Sequence, residues 1–176
     1  MIDKPGESEE ARTKSLTMTV LMTPELANFS GAVHGGALLR QLDQVAYACA
    51  SRYCKQYVVT LFIDQVHFRK PVAVGDLVTF KANVNFTGNT TLEVGIRTEA
   101  AQPTEDVSRH VMSCYFTMMA KDDHGNAAAV PPLSIDNDVE RRLFESGRQR
   151  REMRRELQAK SKTLHVGGLE EARRGR

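Results

Sequence analysis

The sequence predicts an α+β domain in which an antiparallel sheet curls around one long central helix. Three observations carry this. A single glycine-led stretch, residues 35–53, has the spacing of a long helix buried on one face. One strand-like run precedes it. Four more follow, joined only by turns of hairpin scale, so helices do not alternate with strands as a parallel βαβ sheet requires.

The elements follow in order. Residues 14–22 alternate Leu16, Met18, Val20 and Met22 against Ser15, Thr17 and Thr19, a half-buried strand ended by Thr23-Pro24. The helix carries Leu38, Leu39, Leu42, Val45, Ala46, Cys49, Ala50 and Tyr53 on its apolar side, against a thin polar side of Arg40, Gln41, Gln44 and Ser51. A helix this apolar is expected inside the fold, ending between Tyr53 and Gln56. Residues 58–70 form a second strand region, long enough to call for a bend or bulge near Asp64-Gln65. Residues 77–86 and 91–100 form a hairpin about the Gly88-Asn89-Thr90 turn, and residues 108–120 a fifth strand. One helix cannot cover both faces of such a sheet, and open edges need partners. A dimer or higher assembly is therefore expected.

At 176 residues and 41% hydrophobic content, the chain builds one core plus tails. The expected organisation is a disordered N-terminal segment over residues 1–13, a folded domain over 14–133, and a basic helical tail over 134–176 whose end is disordered. The net charge of +2 conceals a split, because residues 141–176 carry 12 Lys/Arg against 5 Asp/Glu. Basicity belongs to the tail and says nothing about the domain's ligand. The tail arginines read as a solvated helix face, or as a contributor to a phosphorylated ligand or an oligomer contact. No aromatic residues are interleaved with them, so nucleic-acid binding is not expected. Three dispersed cysteines, Cys49, Cys54 and Cys114, read as reduced thiols of a cytoplasmic protein, not as a disulfide frame or zinc site. No apolar run is long enough to span a membrane and no signal peptide is evident.

The chemistry concentrates in residues 28–43. Asn28, Gly31 and His34-Gly35-Gly36 lead into the helix, and Asp43 lies in its middle with Leu39 and Tyr47 one turn away on either side. Neither of these positions offers a cation. Glycines before a helix leave the first amides open to an oxyanion at the positive end of the dipole. Taken singly, Asp43 could face solvent beside Arg40 and Gln44, and Gly35-Gly36 could be a plain helix start. Eight residues separate Gly35 from Asp43, about 12 Å along one helix. A reacting carbonyl must lie about 3 Å from its oxyanion donor and within reach of its base. Two helices facing across a symmetric dimer meet that demand better than one.

The run Asn28-x-x-Gly31-x-x-His34-Gly35-Gly36 with its mid-helix Asp43, the segment Val66-His67-Phe68-Arg69-Lys70-Pro71-Val72 with Gly75-Asp76, and the strand pair about Gly88-Asn89-Thr90-Thr91 resemble the hotdog-fold acyl-CoA thioesterases, in particular the cytosolic acyl-CoA hydrolases. The likeness covers residues 14–133 and leaves the tail aside. It implies hydrolysis of acyl-CoA to fatty acid and CoA. Asp43 would act as general base or nucleophile, and Asn28 of the facing subunit would position water or thioester. Gly35 and Gly36 would polarise the carbonyl, with His34 shaping the loop. Phe68, Arg69, Lys70, Gly88, Asn89, Thr90 and Thr91 would contact CoA. It also implies a homodimer as the minimal unit, assembled into a trimer of dimers, with no cofactor, no metal and no membrane or nucleic-acid partner. A non-catalytic acyl-CoA-binding regulatory module on the same fold is the alternative. A hydratase is disfavoured because Ala48 stands where that pattern has His.

Overall fold

The computed structural model describes residues 12–163. A division after Ser134 separates two compact units. The expected disordered N-terminal segment falls mainly on residues 1–11, and the expected disordered end on residues 167–176; both lie outside the described residues.

The first unit holds β1 (Ser15–Leu21), a one-turn 3-10 helix (Pro24–Leu26), α1 (Gly35–Cys54), β2 (Tyr57–Asp64), β3 (Leu77–Thr87), β4 (Thr91–Ala101) and β5 (Arg109–Lys121). The five strands form one sheet in the order β1-β3-β4-β5-β2, every pair antiparallel. α1 lies against all five. Its buried positions, Leu38, Leu42, Val45, Ala46, Cys49, Ala50 and Tyr53, join the alternate residues of the strands (Val78, Phe80, Val94, Ile96, Cys114, Phe116 among them) in a single core. This is the hotdog arrangement.

α1 begins where side-chain chemistry stops the chain from fraying. His34 is its N-cap, and the Nδ1 atom accepts the Gly36 N–H at 2.9 Å. It ends at Lys55, which adopts the left-handed conformation (φ 57°) while its N–H bonds Ser51 O. Beyond the helix, the Tyr53 hydroxyl donates to Pro132 O at 2.9 Å and draws the segment after β5 back over the core.

Two expectations are corrected. The second strand does not run to Lys70: β2 stops at Asp64 because Gln65 takes φ 57° and turns the chain out of the sheet. From there the Arg69 N–H returns to β5, bonding Val111 O at 2.9 Å, and the Arg109 side chain of β5 donates to Pro71 O at 3.3 Å. The bend expected near Asp64-Gln65 is this turn at Gln65, and a bulge stands earlier, between Thr60 and Phe62. And α1 is not enclosed within the protomer: one side packs on the sheet, while Asp43, Gln44 and Tyr47 are exposed.

The loop after β2 is fixed by an ion pair with a buried carboxylate and a half-buried guanidinium. Asp76, 1% exposed, accepts from Arg109 Nη2 and from the Ala73 N–H at 2.8 Å. Gly75 makes the turn at φ 91°; its N–H bonds Met22 O at 2.7 Å, and the Met22 N–H bonds Asp76 O at 2.8 Å.

The second unit holds α2 (Asp138–Thr163). Asn137 caps it through Oδ1 to the Glu140 N–H at 2.9 Å, and Arg148 pairs with Glu145 and Glu152 one turn to either side. No helix among the described residues is long and apolar enough to cross a membrane.

Candidate active site

Asp43 has a partner that no position on its own helix supplies. The Thr60 hydroxyl on β2 donates to Asp43 Oδ1 at 2.6 Å, a short charge-assisted hydrogen bond. One carboxylate oxygen is thereby held and the other is left as an acceptor. Asp43 is exposed, and it is anchored from β2 rather than from its own helix. Both residues line a cavity of about 330 Å³ with Gln44, Tyr47 and Tyr57 to Val59.

Thr60 is the functional residue that sequence reasoning missed. A signal existed. Val58 and Thr60 are two residues apart on β2, so they share a face of the strand, and Val58 is buried in the core beneath α1. A hydroxyl on the helix-facing side of that strand comes within reach of the helix carboxylate.

The Asn28 loop is built to hold that side chain still. Its Oδ1 accepts from the Ser30 N–H at 2.9 Å, the Ser30 hydroxyl at 2.8 Å and the Ala32 N–H at 3.2 Å. The Asn28 N–H bonds Ala32 O, and Gly31 closes the turn at φ 82°. With the carbonyl committed, the Nδ2 group faces away as a donor. Phe29, at the tip of this loop, stands fully in solvent.

The two glycine amides are not equivalent. The Gly36 N–H donates to His34 Nδ1 at 2.9 Å. Gly35 is the first helical residue and its N–H has no acceptor within the helix. His34, which accepts through Nδ1, is a capping residue that holds this geometry. The Phe68 ring lies over Gly35, its edge carbon 3.5 Å from where a Cβ would stand. Phe68 therefore sits against the helix N-terminus.

The remaining expected CoA contacts are divided. Arg69 and Lys70 are exposed and make no ion pair among the described residues; Lys70 lines a second cavity, about 540 Å³, with Ser30 to Ala32, Pro71 to Ala73 and Arg109. The Gly88-Asn89-Thr90-Thr91 turn lies at the far end of β3, closed by the Gly88 N–H on Thr91 O. β3 has 11 residues, about 33 Å of strand. One protomer does not bring that turn to Arg69 and Lys70. Nor does it bring Asn28 or Gly35 into the cavity of Asp43 and Thr60.

The thiols lie outside this chemistry. Burial pushes Cys49 and Cys114 up to about 12 and Cys54 up to about 11.

A sequence profile described as the thioesterase superfamily matches residues 30–107. Protein VdlD of Helicobacter pylori is 44% identical over 143 residues, covering 81% of each chain. The human cytosolic acyl coenzyme A thioester hydrolase is 30% identical over 155 residues; the match takes in 85% of this chain and 40% of that one. Among solved structures, the acyl-CoA hydrolase of Staphylococcus aureus, in complex with butyryl coenzyme A, coenzyme A and coenzyme A disulfide, superposes with a TM-score of 0.78 at 27% identity, covering 85% of this chain and 92% of that one. That enzyme has also been solved with an asparagine, an aspartate and a threonine each replaced by alanine. A hexameric thioesterase of Yersinia pestis superposes at a TM-score of 0.62 and 29% identity, covering 66% of this chain and 94% of that one.

Proposed function

The chain belongs to the thioesterase superfamily, and from that membership we propose that it hydrolyses acyl-CoA thioesters to a free carboxylic acid and CoA, at a site shared between two copies of the chain. The observation that carries this reading is the anchored carboxylate, Asp43 with one oxygen held by Thr60 and the other free at the rim of a cavity.

The reaction follows from these groups. Asp43 accepts a proton as a water oxygen attacks the thioester carbon. The carbonyl oxygen gains charge and is met by the Gly35 N–H at the positive end of α1. Asn28 Nδ2 of the facing copy positions the water or the carbonyl. The tetrahedral intermediate collapses by breaking the C–S bond, and the thiolate leaves with little need of acid assistance. Nothing in this sequence of steps calls on a metal or redox cofactor. Attack by Asp43 itself, through an anhydride, uses the same contacts.

Two copies are proposed for a geometric reason. Gly35 and Asp43 are eight residues apart on α1, about 12 Å, and Asn28 lines a different part of the protomer from Thr60. β2 is an open edge of the sheet with Tyr57, Leu61, Phe62 and Ile63 all more than a third exposed. Pairing of two such edges gives the dimer, and the hexameric relative supports assembly into a trimer of dimers. Free, buried thiols support a cytoplasmic setting.

Thiol release from a panel of acyl-CoAs tests the reading. Wild type should hydrolyse some of them, and Asp43→Ala, at matched folding and oligomeric state, should lose at least about a hundredfold. Binding of CoA without hydrolysis by wild type would make the chain a ligand-binding module instead.

A further inference from the structure

The cavity beside Asp43 is also lined by two aromatic rings: Tyr47, four residues beyond Asp43 on α1, and Tyr57, three residues before Thr60 on β2. The two rings meet edge to face, their centroids 6.1 Å apart and their planes at 63°, an arrangement in which each ring fixes the other. They are 43% and 60% exposed, so their bulk does not serve the protomer's core. Val58 and Val59, which also line the cavity, stand between Tyr57 and Thr60 along the strand and add apolar surface there.

We propose that the Tyr47–Tyr57 pair is the end wall of the acyl-chain pocket and restricts the enzyme to short and medium acyl chains. This rests on the reading that Asp43 and Thr60 mark the reacting end. The lengths come from the elements that carry the rings. Tyr47 follows Asp43 by four residues, roughly 6 Å along the helix, and Tyr57 precedes Thr60 by three, roughly 10 Å along the strand. An extended alkyl chain with bonds of about 1.5 Å advances about 1.25 Å per carbon. The pocket therefore closes after roughly four to eight carbons. The rings act by bulk: neither hydroxyl has a hydrogen-bond partner among the described residues.

The test is the chain-length profile of kcat/KM by thiol release, from acetyl-CoA to palmitoyl-CoA, for wild type, Tyr47→Ala, Tyr57→Ala and Tyr47→Trp. Wild type should fall off beyond roughly eight carbons. Each alanine variant should move the fall-off to longer chains, with a gain of about tenfold or more on the first chain that wild type refuses, the scale of one methylene in an apolar pocket. Tyr47→Trp should move it to shorter chains. If an alanine variant does not assemble, the tryptophan variant still decides. A wild type that takes palmitoyl-CoA as readily as butyryl-CoA, or variants that keep the wild-type profile, would overturn the proposal and leave the hydrolase reading standing. No thiol release by wild type from any chain would instead defeat the reading on which the proposal rests.

Discussion

Replacing Thr60 by valine removes one hydroxyl and keeps the branched shape that suits strand β2. What is lost is the 2.6 Å hydrogen bond to Asp43 Oδ1, together with a weaker contact to Met118 Sδ at 3.4 Å. A hydrogen bond to a charged group contributes about 1.5–3 kcal/mol, and the exposure of Asp43 places this one toward the lower end. If the bond holds the carboxylate where it takes a proton from water, most of that energy is expressed in the transition state. It converts to a fall of about ten- to thirtyfold in kcat. Substrate does not need the bond in order to bind, so KM should change little. The assay is steady-state thiol release, with thermal unfolding of the same samples to show that the fold is intact. Thr60→Ser, which keeps a donor, should recover much of the loss. A Thr60→Val protein with wild-type kcat would show that the bond does not position the base.

Other predictions follow from the same contacts. His34→Ala removes the N-cap of α1 and should cost about 1 kcal/mol, read as a lower urea midpoint. Asp76→Ala leaves the Arg109 guanidinium facing a buried site without its partner and should destabilise by about 3 kcal/mol. It should also loosen the 69–73 segment, read by faster proteolysis there. The three thiols should resist Ellman's reagent at pH 8 in the native protein and all react in denaturant. Their folded values are raised above the ordinary 9.0 to about 11 for Cys54 and about 12 for Cys49 and Cys114. Their contribution to stability is therefore complete below pH 9 and is lost as pH rises toward 11–12, because only the unfolded chain ionises in that window. A urea midpoint that holds steady from pH 8.5 to pH 10.5 would contradict this.

What was legible in the sequence was what repeats locally. α1 announced itself by period, from Leu38 to Tyr53, and the β3–β4 hairpin by alternation about Gly88-Asn89-Thr90. The end of β2 was not legible. Val66-His67-Phe68 continues the alternation, and only the turned backbone at Gln65 removes it from the sheet. The site was half legible for the same reason. Asn28, His34, Gly35 and Asp43 stand in one stretch whose residue types suggest chemistry. The Thr60–Asp43 bond joins residues 17 apart and the Arg109–Asp76 pair residues 33 apart, through packing that no local pattern encodes. His34 was readable as a loop-shaping residue. Its cost to Gly36, whose amide it occupies, required the ring to be placed.

The central claim is that one working site needs Asp43 of one copy and Asn28 of another. Subunit complementation tests it directly. Asn28→Ala and Asp43→Ala proteins are each purified, confirmed to have little activity, then unfolded and refolded together. Random pairing makes half the dimers mixed, and each mixed dimer holds one site with both native groups, so the mixture should recover about a quarter of wild-type activity. A refolded mixture of the same oligomeric state that stays as inactive as its components would contradict a shared site and return both residues to a single subunit.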